Sequence, residues 1–231
     1  MLVRDILTMF KVNGQTKGLD TIRFISDEDI AVYINQAIVN KIRAVLMQNA
    51  QSKFTDKLTM QDNSIASTNI LRNLLTYVDV PLQGTLFGSS SGSIALENQV
   101  MFYTSFVANY EDAVTKCRLI DYDKFYNHKD DYCSDVSWSQ PIATYIYENN
   151  TLNVLVEYQS KRFPTNKHLL NVRVGYVRHP NSFTVSNQNA DYKELPEYAY
   201  PEIVEIAVNS YFRSIGATSQ QVQQQQEQTN Q

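Results

Sequence analysis

The densest group of side chains with catalytic or metal-binding potential lies in the segment DYDKFYNHKDDYCSD, residues 121–135. Closely spaced carboxylates can hold a hard cation, but a calcium loop also requires a glycine at its turn and a distal glutamate, and this segment has neither. His128 and Cys133 are neighbours along the chain, which does not establish the hydrogen-bonded pair that an activated thiolate needs. We interpret the segment as a solvated acidic loop and predict no catalytic residue, no metal site and no cofactor.

Two other features suggest chemistry only weakly. The segment GTLFGSSSGS, residues 84–93, lacks the Gly-Lys-Ser/Thr ending of a phosphate-binding loop and does not lie between a strand and a helix, so we interpret it as a flexible loop. Cys117 and Cys133 are the only cysteines, and one pair is not a disulfide framework, so we expect both thiols to be free. The sequence therefore predicts that the protein is not an enzyme; a hydrolase using Cys133 and His128 is the weakest alternative.

The composition is that of a globular protein with a sizeable core. Of 231 residues, 43% are hydrophobic and 19% are charged, and the formal net charge of -4 argues against a dedicated nucleic-acid-binding protein. No apolar run approaches the roughly 20 residues that span a bilayer. Because Arg4 and Asp5 interrupt the first apolar segment, we do not expect a signal peptide.

Two segments near the ends of the chain have the pattern of amphipathic helices. The first, SDEDIAVYINQAIVNKIRAVLMQNA, can be capped by Ser26 or Asp27, and the second, LPEYAYPEIVEIAVNSYFRSIG, has Pro201 for its first turn and Gly216 for a left-handed stop. We expect their apolar stripes to pack together. The predicted packing residues are Ile30, Ile34, Ile38, Ile42, Ile203, Ala207, Val208 and Ile215. A shorter stripe from Ile70 to Val78 predicts a further helix that ends near Pro81.

Between these helices the hydrophobic period falls to two, which predicts strands. Residues 100–110 and 113–121 fit this pattern, and IATYIYENNTLNVLVEY predicts a hairpin that turns at Asn149 and Asn150. HLLNVRVGYVRHP predicts a strand with Leu170 and Val172 on one face and Arg173 on the other.

The order of elements predicts an α+β fold. A helical bundle from residues 1–80 and 191–216 would hold an inserted, mostly antiparallel β-rich module at residues 81–190. Residues 217–231 hold Val222 as the only sizeable apolar side chain among many glutamines, which predicts a flexible C-terminal tail.

Three segments, in their order along the chain, resemble the head–tail connector (adaptor) proteins of short-tailed bacteriophages, most of all the neck ring proteins of crAss-like phages. The segments are DEDIAVYINQAIVNKI, VRVGYVRHP and LPEYAYPEIVEIAVNSYFRSIG. The resemblance implies a virion protein, made in the bacterial host cytoplasm, that forms a homo-oligomeric ring of twelve copies. It also implies contacts with the portal protein and other neck or tail rings, around a channel through which DNA passes without sequence-specific binding, and no membrane partner.

The resemblance further implies that the C-terminal region contacts the portal or a neighbouring copy. The interface residues that it implies are Tyr211, Phe212, Gln220, Val222, Gln224 and Gln226. The alternative is a tail accessory protein or a glycan- or receptor-binding β module of a virion, although such a module would carry aromatic platforms on loops more than helices at both ends.

Overall fold

The structure is a computed structural model that describes residues 1–17, 25–52, 69–86, 89–129, 135–160, 162–163 and 165–229. The chain divides into two compact units. The first unit, here named the helical unit, consists of Met1–Leu74 and Pro180–Gln231. The second, here named the β unit, consists of Leu75–His179. Helices and mixed sheets are both present, which confirms the α+β class.

The α-helices within the described residues are α1 (Val3–Thr16), α2 (Asp27–Ser52), α3 (Tyr122–Lys129) and α4 (Tyr200–Thr229). The start of α2 confirms the predicted cap, because the backbone N–H of Asp29 donates to Ser26 Oγ at 3.1 Å and the Ser26 hydroxyl donates to the Asp29 carboxylate at 2.7 Å. At the start of α1, the backbone N–H of Val3 donates to the carbonyl of Ala190 at 3.0 Å. A distant loop thus satisfies a helix N-terminus that has no side-chain cap.

Within the helical unit, α4 contacts both α1 and α2. Most of the predicted packing residues are at most 1% exposed, and Ile215 is half-buried. The fully or nearly fully buried ones are Ile30, Ile34, Ile38, Ile42, Ile203, Ala207 and Val208.

In the described part of the β unit, two sheets enclose a common core. One has the strand order β1-β9-β4-β5 and the other the order β2-β3-β8-β7-β6. All neighbouring strands are antiparallel except β6 and β7. The strands are β1 (Leu75–Pro81), β2 (Gln83–Leu86), β3 (Ser89–Ala95), β4 (Val100–Tyr110), β5 (Val114–Lys116), β6 (Arg118–Leu119), β7 (Ile142–Glu148), β8 (Thr151–Glu157) and β9 (Leu169–Arg178).

The predicted hairpin is confirmed: β7 and β8 pair in regular register, and Asn149 and Asn150 have φ values of 51° and 59°. β4 also has its predicted bounds. The single strand predicted for residues 113–121 is wrong, because β5 pairs with β4 in one sheet and β6 with β7 in the other. The chain changes sheets at the buried Cys117.

Leu170 departs from the predicted face of β9 and is 51% exposed. In the register of β4 with β9, Asn109 is opposite Asn171 while Tyr110 is opposite Leu169, so Leu170 is an extra residue in a bulge. An extra residue of this kind has no partner across the ladder, which explains its exposure.

Two predictions at the start of the β unit are wrong. The stripe from Ile70 to Val78 is not one helix, because residues 69–71 are helical and β1 follows. The β-branched and aromatic side chains of TYVDV favour a strand, and pairing with β9 buries Val80 completely. The described part of GTLFGSSSGS is not a loop but belongs to β2 and β3. Glycine at position 92 lets β3 pass close to the end of β1, because the Cβ of any other residue would lie 2.2 Å from the Pro81 carbonyl oxygen.

Two further boundaries differ. The segment predicted as an acidic loop forms a helix, α3, from Tyr122 to Lys129. The buried side chain of Phe125 on this helix packs with Val136 and Ile142. Residues 130–134 lie outside the described part of the structure. The predicted stop at Gly216 is wrong, because α4 continues to Thr229. Glutamine, glutamate and alanine are good helix formers, and a single glycine weakens a helix without ending it. The flexibility predicted for residues 217–231 stays a prediction.

Candidate assembly surface

The side chain of Tyr211, a predicted interface residue, is half-buried inside the helical unit. Its ring lies 6.2 Å from that of Phe10 on α1 and meets Tyr33 on α2 edge-on at 5.4 Å. The hydroxyl groups of Tyr33 and Ser214 share a hydrogen bond of 3.0 Å. These contacts join all three helices, so Tyr211 holds α4 in place. Phe212 is also half-buried.

The remaining predicted interface residues, Gln220, Val222, Gln224 and Gln226, lie within α4. Their backbone is helical, and their side chains are outside the described part of the structure. At Gly216, just before them, a Cβ would meet no atom within 4 Å. The surroundings of α4 at Gly216 are therefore open.

Polar contacts fix the first half of α4. Lys17 donates to the Asn209 side-chain oxygen at 2.7 Å, and Lys41 forms an ion pair with Glu202. Glu202 is 57% exposed, and an ion pair that solvent reaches contributes at most about 1 kcal/mol, so these contacts set the orientation of α4 more than its stability.

The start of α4 is held more firmly, by Tyr200. Its side chain is fully buried, and its hydroxyl donates to the Tyr192 carbonyl at 3.0 Å and accepts from the Leu195 N–H at 3.3 Å. Burial raises the pKa of Tyr200 to about 12, so the hydroxyl keeps its proton and the donated bond at neutral pH. Sequence reasoning did not single out this residue.

A group of aromatic residues in the β unit, here named the aromatic flank, also escaped the sequence analysis. It consists of Tyr103, Phe106, Tyr145 and Tyr147. Tyr145 stacks on Phe106 with centroids 5.3 Å apart and lies 4.4 Å from Tyr103, yet it is 37% exposed. The Tyr103 hydroxyl is buried without a hydrogen-bond partner among the described residues, and burial raises the pKa of Tyr103. The high tyrosine content, 15 residues, was the only sequence signal.

The described residues offer little for catalysis. They contain no group of three or more histidine, cysteine, aspartate or glutamate side chains that could hold a metal. Cys117 is a free thiol, and burial raises its pKa to about 12, which makes it a poor nucleophile. Cys133 and the side chain of His128 are outside the described part, so their predicted lack of function stays a prediction.

Among the described residues, two cavities are large enough to hold a small ligand. The larger, about 640 Å³, is in the helical unit and is lined by Asn69, Ile70, Arg72, Asn73, Pro196 and Tyr198. The smaller, about 300 Å³, crosses β3 and β8 and is lined by Pro81, Ser91, Gly92, Ser93, Asn153, Val154 and Leu155. Neither lining contains a carboxylate, histidine or cysteine that could act as an acid, base or nucleophile.

No protein-family model matches the chain, and no curated protein matches it. Among the described residues, no helix combines the length and the apolar character that crossing a membrane requires.

Proposed function

We propose that this protein is a structural ring protein of a bacteriophage neck, which joins the portal to the tail and surrounds the DNA channel. The proposal rests first on the order of the three segments that resemble adaptor proteins. In the structure these segments correspond to α2, β9 and the first half of α4. We propose no enzymatic role.

One observation carries the proposal beyond that resemblance. α4 packs through Ile203, Ala207 and Val208 in the helical unit, reaches open surroundings at Gly216 and continues to Thr229. At 1.5 Å per residue, the whole helix is about 45 Å long. A helix that is held at one end and extends at the other suits a contact with a neighbouring subunit or a portal.

In this proposal the ring is built from a helical bundle of α1, α2 and α4, with the β unit inserted between α2 and α4 in the chain. The net charge of -4 is compatible with a channel that lets DNA slide, since the 24 acidic residues outnumber the 20 lysine and arginine residues that could bind phosphates. The glycan-binding alternative has less support: Trp138, the only tryptophan, is covered on one face by Lys167, whose Nζ lies 4.4 Å from the ring centroid.

The proposal is tested with virions of the parent phage that carry either the full chain or a chain ending at Gly216. Electron microscopy of the full-length particles should place the protein in a closed ring between head and tail. The truncated chain should keep its melting temperature within about 2 °C, since no packed stripe is removed. It should attach poorly to the portal, because contacts repeated around a ring are lost together.

A second truncation, after Gln223, provides a graded control that removes fewer residues and should weaken attachment less. Full-length protein located anywhere other than the neck contradicts the proposal. If the chain that ends at Gly216 attaches to the portal as well as the full-length chain does, the ring assignment rests on the sequence resemblance alone.

A further inference from the structure

One edge of the second sheet is only partly covered. β6 pairs with β7 at Ile142 and Ala143 alone, and the N–H of Ile120 donates to the Ala143 carbonyl at 3.0 Å. The chain then continues into α3, whose Phe125 packs with Ile142 at the start of β7. Among the described residues, positions 144–148 of β7 have no strand on this side.

The direction of the free backbone groups follows from that hydrogen bond. In a strand, successive residues direct their N–H and C=O groups to opposite sides. Since Ala143 faces β6, Tyr145 and Tyr147 direct their N–H and C=O groups to the same side, away from β8. Their backbone groups form a short row of donors and acceptors that only another extended backbone can fully match.

This edge is a better template than the neighbouring edge of β4. Among the described residues, β5 pairs with residues 107–109 of β4, and the Cys117 N–H donates to the Phe106 carbonyl. The rest of β4 has two register shifts in its pairing with β9, between Val100 and Phe102 and between Tyr103 and Ser105. Bulges of this kind protect an edge from pairing. β7 has a regular register along its whole length with β8.

The aromatic flank lies beside the same edge and has no charged member. The exposed ring of Tyr145 offers apolar area, and the buried Tyr103 hydroxyl has a proton to donate. These features suit an uncharged extended peptide and do not suit a phosphate or an acidic ligand.

We propose that the free edge of β7 pairs with an extended strand from a second copy of this chain. The proposed strand is β2, a four-residue strand at the opposite end of the same sheet, which among the described residues pairs only with β3. Pairing between opposite ends of a sheet is head-to-tail, and a head-to-tail interface is the type that closes into a ring. The inference therefore rests on the proposed ring function and identifies its subunit contact.

Hydrogen exchange of the wild-type protein, measured in its monomeric and assembled forms, tests the pairing directly. The backbone amides of Tyr145 and Tyr147 should exchange more slowly on assembly, by about tenfold or more, because each becomes a ladder donor. The amides of Thr144 and Ile146, which face β8, should change far less. Equal changes at all four positions, or no change in an assembled sample, would overturn the inference.

Tyr147→Pro removes an outward N–H without removing a β7–β8 hydrogen bond. It should raise the dissociation constant of self-association by about tenfold or more. Tyr77→Pro is the matched control, because it also removes an outward N–H from an edge strand. Proline has no N–H to donate, so Pro81 at the end of β1 directs its nitrogen away from β9. Tyr77 lies four residues earlier in β1 and therefore directs its N–H to the same side. This control should associate like the wild type.

The outcomes separate the two proposals. A closed ring that Tyr147→Pro does not weaken contradicts the strand pairing and leaves the ring standing. Pairing at β7 that yields open fibres or isolated dimers contradicts the ring and leaves the pairing standing. A wild-type chain that stays monomeric at all concentrations, alone and with neck particles, overturns the pairing.

Discussion

The helical unit and the β unit differ in how the chain builds them. The helical unit needs both ends of the sequence, Met1–Leu74 and Pro180–Gln231, whereas the β unit is one continuous stretch, Leu75–His179. In the helical unit, side chains join segments that are far apart along the chain. In the β unit, most of the order comes from backbone ladders between strands.

Asn35 illustrates the first type of contact. Its amide nitrogen donates to the Phe183 carbonyl at 3.0 Å, and its side-chain oxygen accepts the Phe183 N–H at 2.7 Å. One side chain thereby binds α2 to a segment 148 residues away. In the β unit, by contrast, the shared core is filled largely by buried valine and aromatic side chains from both sheets. We therefore expect a substitution within one unit to destabilise that unit more than the other.

The largest effect is expected from Val208→Asp, because Val208 is fully buried on α4. An unpaired carboxylate there should cost about 3 kcal/mol or more. Trp138 lies in the β unit, so its fluorescence reports on that unit while helical circular dichroism reports mainly on the other. We expect the helical signal to melt earlier and the Trp138 signal to change less.

Val32→Asp is the control for this substitution, since Val32 is 53% exposed on α2. It should change the melting temperature by no more than about 2 °C. If the circular dichroism and the Trp138 fluorescence of Val208→Asp both change at the same lowered temperature, the two units unfold together. The proposed difference between the helical unit and the β unit would then be wrong.

Gly92→Ala should have the next largest effect and act on the β unit. The added Cβ would lie 2.2 Å from a backbone oxygen, that of Pro81, and 3.1 Å from the Leu82 side chain. Backbone atoms cannot yield as a flexible side chain can, so we expect a loss of about 3 kcal/mol. The Trp138 fluorescence transition should move more than the helical transition, which is the reverse of Val208→Asp. Ser93→Ala, at the next and exposed position of β3, should be nearly neutral.

Part of the fold of each unit could be predicted from the sequence. Periodicity identified α2, α4, β4 and the β7–β8 hairpin, because amphipathic stripes and an Asn-Asn turn are local signals. Local signals failed where tertiary pairing decided the outcome. The stripe ending at Val78 fits a helix by spacing, yet pairing with β9 made it a strand.

The candidate surfaces were harder to predict than the fold. Tyr211 contacts Phe10 and Tyr33 within the helical unit, and its role at an interface stays a prediction. The flank around Tyr145 was missed, because it depends on β6 ending after two residues. Where one strand stops relative to its neighbour is a property of the folded chain and has no local signature.

Asn35→Ala should have an intermediate effect on the helical unit. It leaves the Phe183 N–H and C=O without their side-chain partner, which should cost about 2 kcal/mol. Asn40→Ala, at an exposed position on the same helix, should cost much less. Urea unfolding of both variants measures the difference. Equal stability of the two variants would remove the main support for a helical unit that depends on long-range polar contacts.

Gly216→Ala should increase stability by about 0.5–1 kcal/mol. The position is inside α4, a Cβ would meet nothing within 4 Å, and alanine is a better helix former than glycine. Helical circular dichroism during heating measures the effect. A loss of helix would instead indicate that α4 ends at Gly216 in solution, as the sequence alone predicts.

The smallest effect is expected at the Asp79–Arg173 pair of the β unit, where Arg173 Nε lies 2.9 Å from Asp79 Oδ1. The hydrogen bond from Arg173 holds the pKa of Asp79 below its usual value of 3.8. A carboxylate with a lowered pKa stabilises the folded state above its unfolded pKa, and this contribution is lost as the pH falls through the folded pKa. Asp79→Asn should therefore lower the melting temperature slightly at neutral pH.

The difference between Asp79→Asn and the wild type should narrow as the pH falls below 3.8 and vanish in stronger acid. Both side chains are about half exposed, so solvent screening keeps the effect small, and high salt should reduce it further. Differential scanning calorimetry of the two proteins across this range measures it. A difference that persists unchanged in acid would mean that Asp79 acts through its shape in β1 and not through its charge. The β unit would then depend on a single side chain in the way that the helical unit does on Asn35, and the contrast between the two units would weaken.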